Sequence, residues 1–123
     1  MESKINSFKD LKVWQKSHNL ALKIYFLSQS TKRNISNFDI WSQCLRSAFS
    51  TPANITEGFH GHKGKSFVSY LEVARASAKE TEYWVLVLLD TKNISQKEYD
   101  ELTAGYIEVD LMINGLIRKL KAK

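Results

Sequence analysis

Five polar residues, Gln43, Arg46, Asn54, Glu57 and Glu80, have the side-chain types of a hydrogen-bonded and ion-paired network. On a helix advancing about 100° per residue, Gln43, Arg46, Ser50, Asn54 and Glu57 share one face of the stretch QCLRSAFSTPANITEG. Trp41, Leu45, Ala48, Phe49, Pro52, Ile55 and Phe59 share the opposite face, a core stripe. Most members of the polar face are short or both donate and accept hydrogen bonds, whereas a solvated helix face carries many Lys and Glu residues. Such a face suits packing against protein, within the chain or between subunits. The planar fork of arginine grips a carboxylate with two bonds, so Arg46 is expected to pair with Glu57 or Glu80. The competing reading is a ligand or phosphate pocket. The structural reading is preferred, because buried polar groups need partners and these residues supply them to one another.

A second cluster is His60, His62, Lys63 and Lys65. Two histidines in a glycine-rich turn are too few ligands for a metal, and no nearby cysteine or carboxylate set completes them. Neither a metal nor a cofactor is therefore expected. Lys63 and Lys65 flank the start of a predicted helix, where free amide groups and the dipole attract anions, so phosphate is the better ligand. A plain solvated turn is nevertheless the preferred reading of this cluster, because lysine is common in loops. Lys9, Lys12, Lys16, Lys32, Arg33 and the tail residues Arg118, Lys119, Lys121 and Lys123 add weak patches that sum if an oligomer repeats them. RNA or DNA is the partner this pattern would serve. Ser50, His18 and Asp90 make a triad only on paper, Cys44 has no flanking nucleophile signature, and no phosphate-binding glycine loop is present. No enzymatic activity is expected. Trp14, Trp41, Trp84, Tyr25, Tyr70 and Phe67 fall on or beside core stripes, which favours packing over base stacking.

The chain has 123 residues, enough for one domain over 1–123 and one core. A single proline and five glycines disfavour a many-turned all-β fold and favour a few long helices. The net charge of +5 favours polyanionic partners. Cys44 has no partner for an internal disulfide and reads as a reduced thiol near the core border, in the cytoplasm. No apolar run approaches the ~20 residues of a bilayer span, so no membrane partner is expected. The N-terminal MESKINSFKD has no hydrophobic signal region, which argues against export.

The elements that must position these groups are helices. The first is expected over about Phe8–Ser28, with Leu11, Trp14, His18, Ala21, Leu22 and Tyr25 on its core face and Ser7 and Asp10 at its cap. The second should start near Ser36 or Asn37 and reach about Phe59. Pro52 costs ~3 kcal/mol inside a helix. Two helices with Thr51 as cap are the alternative to one kinked helix, which is preferred because the apolar stripe keeps its phase. The third is expected over about Lys65–Asp90, with Phe67, Leu71, Ala74, Ala78, Thr81, Val85 and Leu88 inward. Small residues at Ala74, Ala76, Ser77 and Ala78 let a neighbour approach closely. The fourth starts at the capping box of Ser95 and Glu98. Its seam is Tyr99, Leu102, Tyr106, Val109, Ile113, Leu116 and Leu120. Short connections make this an all-α, antiparallel up-and-down four-helix bundle.

Three blocks of the sequence carry a family resemblance: FKDLKVWQKS, the Gln43–Gly58 stretch and SFVSYLEVARASAKETE. The chain resembles the small four-helix-bundle proteins encoded in bacterial 23S rRNA intervening sequences, also called S23 ribosomal proteins. Gln43, Arg46, Asn54, Glu57, Gly58 and Glu80 stand at that family's signature places. Arg46 is followed by Ser47 where members often carry a second arginine, and no proline precedes the second helix. The resemblance implies a ring-shaped homopentamer. A related accessory protein of diversity-generating retroelements has a similar shape, binds nucleic acid and contacts a reverse transcriptase. A nucleic-acid enzyme is thus the kind of protein partner implied, and a structural adaptor without nucleic-acid binding is the competing function.

Overall fold

The computed structural model describes residues 5–32, 34–61 and 65–122. Four helices follow a 3-10 turn at Phe8–Asp10: α1 (Lys12–Ser30), α2 (Ile35–Gly61), α3 (Lys65–Asp90) and α4 (Gln96–Lys121). The described residues contain no strand. Successive helices pack on one another and α1 also packs on α4, so the four form a bundle around a common core.

Caps set the ends. Ser7 and Asp10 form the expected capping box, but on the 3-10 turn, and α1 proper starts two residues later at Lys12. Asn34 and Asn37 exchange backbone and side-chain bonds at 2.9 and 3.0 Å, a reciprocal cap that starts α2 at Ile35. Ser95 and Glu98 do the same for α4. α2 runs unbroken through Pro52, so Thr51 starts no separate helix. One turn further on, the Thr56 hydroxyl donates to the Pro52 carbonyl at 2.9 Å.

α3 buries all the residues of its predicted face, from Phe67 to Leu88. On α4, Leu102, Tyr106, Val109 and Ile113 are buried as expected and Tyr99, Leu116 and Leu120 are half-buried. The phase of α1 differs. Its buried residues are Val13, Ser17, Leu20, Ala21, Ile24 and Ser28. Of the predicted stripe only Ala21 is among them, so the core face is turned by about one residue, roughly 100°. Two serines conceal the true stripe. Ser17 and Ser28 donate to the carbonyls of Trp14 and Tyr25 in their own helix, at 3.2 and 2.6 Å. A serine so satisfied enters a core at small cost. Leu11, Trp14, His18 and Leu22 lie instead on the half-buried flank, where the Trp14 indole donates to Thr56 of α2 at 2.9 Å.

On α2 the buried arc is likewise displaced toward the polar side. Trp41, Ala48, Pro52 and Ile55 are buried, but so are Cys44, Ser47, Thr51 and Gly58, while Phe49 is 36% exposed. The cause is the close approach of α3. Thr81 lies 2.8 Å from Ser47, Thr51 donates to the Ala74 carbonyl at 3.2 Å, and Ser50 and Ser77 share a bond of 2.8 Å. Residue numbers rise along α2 as those of its partners fall along α3. A Cβ added at Gly58 would stand 2.6 Å from the Tyr70 Cβ, so glycine is what permits this approach. Cys44 is fully buried, not at the core border.

Candidate nucleic-acid interface

The start of α1, the end of α2, the start of α3 and the end of α4 meet at one end of the bundle. Phe8 packs edge-on to His60 with ring centroids 5.2 Å apart, and Phe59 packs on Phe67 at 6.2 Å. Leu11 and Lys12 face Leu116 and Lys119 across a groove. This convergence gathers basic residues that are remote in sequence. Lys9, Lys12, Lys65, Arg118, Lys119 and Lys121 are all exposed there. Lys16 stands a turn further in and bridges to Glu108 at 3.2 Å. The acids on these segments are Asp10 and Glu57, and Asp10 is taken up as a cap. The opposite end carries Asp39, Asp90, Glu98, Asp100 and Glu101 among Lys32, Lys92 and Lys97. Charge is therefore polarised along the bundle. Lys32 belongs to the other end and adds nothing to this patch.

His60 is exposed in the last turn of α2, its ring held between the edges of Phe8 and Phe59. Lys65 opens α3, as expected. His62, Lys63, Arg33 and Lys123 lie outside the described residues. Arg118 and Lys119 occupy the last turn of α4, where cations complement the dipole. Lys12 and Lys119 flank an open groove of about 390 Å³ floored by Leu11, Val13, Met112, Gly115 and Leu116. Its apolar floor and cationic rim can hold a planar group against an anion.

The polar network is smaller than expected. Gln43 and Asn54 are half-buried, whereas Arg46, Glu57 and Glu80 are exposed. Asn54 donates to the Ser50 carbonyl at 2.8 Å and to its hydroxyl at 3.1 Å, and Ser50 reaches Ser77. Glu80 accepts from the Trp84 indole at 3.0 Å. Among the described residues, no ion pair joins Arg46 to Glu57 or Glu80. Arg46 and Glu57 are eleven residues apart on one helix, about 16 Å along its axis, too far to touch within a chain. The intrachain contact is made by hydroxyls instead, with Ser47 and Thr81 at its centre. Ser47 is short and uncharged, so nothing in the sequence marks it as a packing group.

Other candidates fall apart in space. Ser50 is tied to Ser77 and Asn54, His18 stacks on Trp14 with ring centroids 4.6 Å apart, and Asp90 ends α3. Burial pushes the Cys44 thiol up to about 12, so it stays protonated at neutral pH. The Tyr106 phenol beside it is also raised by burial. Among the described residues, no three His, Cys, Asp or Glu side chains converge as metal ligands, and no helix is long and apolar enough to cross a membrane.

Residues 9–115 match the protein family described as 23S rRNA-intervening sequence protein. Among solved structures, the chain is similar to a protein with unknown function from the S23 ribosomal protein family from Bacteroides thetaiotaomicron VPI-5482. The two are 29% identical with a TM-score of 0.79, over 86% of this chain and 95% of that one. No curated protein matches.

Proposed function

The chain belongs to the 23S rRNA-intervening sequence protein family, and from that premise we propose that it is a non-enzymatic, cytoplasmic homo-oligomer that binds nucleic acid through the basic end of its bundle. The pentameric ring implied by the family resemblance is the stoichiometry this reading adopts. One observation carries it: the fold collects Lys9, Lys12, Lys65, Lys119 and Lys121, scattered over the sequence, at a single end. Phosphate contacts of this kind release counterions and read no sequence. Each subunit offers a weak patch, and a ring multiplies it by linking several patches rigidly.

The test is binding of mixed-sequence RNA by fluorescence anisotropy between 50 and 200 mM salt. Affinity should fall steeply with salt, and the variant Lys12→Glu/Lys65→Glu/Lys119→Glu should lose binding and flatten the salt dependence. Binding that ignores both salt and the three substitutions would sink the reading.

A second reading rests on a different feature. Tyr25, Phe38 and Phe49 are exposed by 40, 55 and 36% on α1 and α2. Exposed aromatics are a mark of protein interfaces. An adaptor that recruits a protein partner, such as a nucleic-acid enzyme, would use them. It would bind no RNA in the anisotropy assay, yet co-purify with a partner, and Phe38→Ser would release that partner.

A further inference from the structure

α4 has two seams. The inner one fills the core. The outer one consists of Asp100, Ala104, Ile107, Leu111, Gly115 and Arg118, spaced four, three, four, four and three apart, which keeps them within about 80° of helix surface. Ile107 and Leu111 at its middle are 51 and 65% exposed. Two large aliphatic side chains side by side on the outside of a helix are unusual when none of the described residues covers them. Gly115 is unusual too. A glycine inside a helix costs about 1 kcal/mol relative to alanine, and a Cβ built there meets nothing within 4 Å. Packing among the described residues does not call for it. The ends of the seam carry opposite charge. Asp100 accepts one bond from Gln96 of its own helix, at 2.9 Å, and keeps its charge exposed. Arg118 is exposed and makes no ion pair among the described residues. The neighbouring acids Glu101 and Glu108 are already held by Lys23 at 2.7 Å and Lys16 at 3.2 Å.

We propose that this outer seam is a two-fold contact between two copies of the chain, with α4 lying antiparallel to α4. Such a contact must be self-complementary. The seam meets that condition in one direction only. With the helices antiparallel, Asp100 meets Arg118, Ala104 meets Gly115 and Ile107 meets Leu111, since the numbers of each pair sum to 218 or 219. Apolar groups then fill the centre, the two small residues let the helices close in, and an ion pair seals each end. A parallel arrangement would set Asp100 on Asp100 and Arg118 on Arg118. The seam is about 27 Å long, one helix pair, which places it in the smaller class of interfaces, below about 1,200 Å² in total. The contact is therefore concentration-dependent and not obligate. Arg118 serves it while Lys119, one residue on, stays at the groove beside Lys12. This goes beyond the oligomer proposed above by naming a face, and it rests on that reading only in requiring that copies associate. A ring built through other surfaces would be joined to a second ring, and a chain without a ring would form a dimer. Either way the contact doubles the mass.

The experiment is mass by sedimentation velocity from 1 to 200 µM on the full chain. Leu111→Lys should halve the mass at the upper concentrations without changing the helical circular dichroism signal. Asp100→Arg should weaken the association, and Asp100→Arg/Arg118→Asp should restore it. An assembly whose mass ignores Leu111→Lys overturns the α4 contact and leaves the homo-oligomer reading standing. A wild-type chain that is monomeric throughout overturns both. Failure of the double charge swap to restore association overturns the antiparallel pairing.

Discussion

Substituting alanine at three of the glycines should move stability in three different directions, for reasons visible in what each new methyl would meet. At Gly58 the added Cβ would lie 2.6 Å from the Tyr70 Cβ, 3.0 Å from the Phe67 Cδ1 and 3.2 Å from the Tyr70 Cγ. Carbon atoms pack comfortably at about 3.5–4.0 Å, so α2 and α3 must part by about 1 Å at that point. A Cβ is fixed to its backbone and has no rotamer to escape into. Overpacking of this kind costs up to about 3 kcal/mol, and the better helix propensity of alanine returns about 1. The net expectation for Gly58→Ala is a loss of about 2 kcal/mol. At Gly105 the nearest atom is closer still, 2.5 Å, but it is the Leu20 Cδ2, the far end of a side chain that can rotate. There the two contributions are of about equal size, near 1 kcal/mol each, and Gly105→Ala should be close to neutral. At Gly115 nothing lies within 4 Å, and alanine should stabilise by about 1 kcal/mol. The series is best measured by urea unfolding with circular dichroism at one fixed protein concentration, in the Leu111→Lys background so that the α4 contact does not enter. With an m-value of about 2 kcal/mol per molar urea, Gly58→Ala should lower the midpoint by about 1 M and Gly115→Ala should raise it by about 0.5 M. If Gly58→Ala were as stable as Gly105→Ala, the account of the α2/α3 contact would be wrong.

Three further outcomes are expected. Alkali should destabilise the protein. The Cys44 thiol is raised from 9.0 to about 12 and the Tyr106 phenol is raised as well, so both keep their protons in the folded state while the unfolded chain releases them. Stability from Cys44 is therefore intact below about pH 9 and is lost between about 9 and 12, by at most ~1.4 kcal/mol per pH unit. Urea midpoints that stay level from pH 8 to 10.5 would contradict the burial of both groups. Asn37 ties the α1–α2 connection to the α3–α4 loop, donating to the Lys32 carbonyl at 3.1 Å and the Asn93 side chain at 2.9 Å while accepting from the Asn34 amide. Asn37→Ala should cost about 2–3 kcal/mol in the same assay, and a loss under 0.5 would show these bonds to be replaceable by water. Lys92 has a φ of 63°, the left-handed conformation that ends α3. Lys92→Gly should stabilise by about 1 kcal/mol, seen as a raised thermal midpoint, and an unchanged midpoint would mean that lysine bears this conformation without cost.

The helices themselves could be read from the chain, because each is marked by local chemistry. Ser95 and Glu98 announce α4 within four residues, and the faces of α3 and α4 repeat apolar residues at helical spacing with little interruption. Periodicity failed where a core position was filled by a small hydroxyl. Ser17 and Ser28 in α1, and Ser47 and Thr51 in α2, look polar in a sequence, yet carbonyls of their own or a neighbouring helix satisfy them. Only the position of the neighbour decides that such a residue is inside. The same holds for the candidate site. Lysines at 9, 12, 65, 119 and 121 are separate facts along the chain, and an expected Arg46–carboxylate pair is chemically sound. Folding joined the first, because helix length and the order of packing fix which ends meet, whereas eleven residues of one helix already keep Arg46 from Glu57. Local propensity writes the elements residue by residue, whereas charge acts through space, so the basic end of this protein exists only once the bundle has closed.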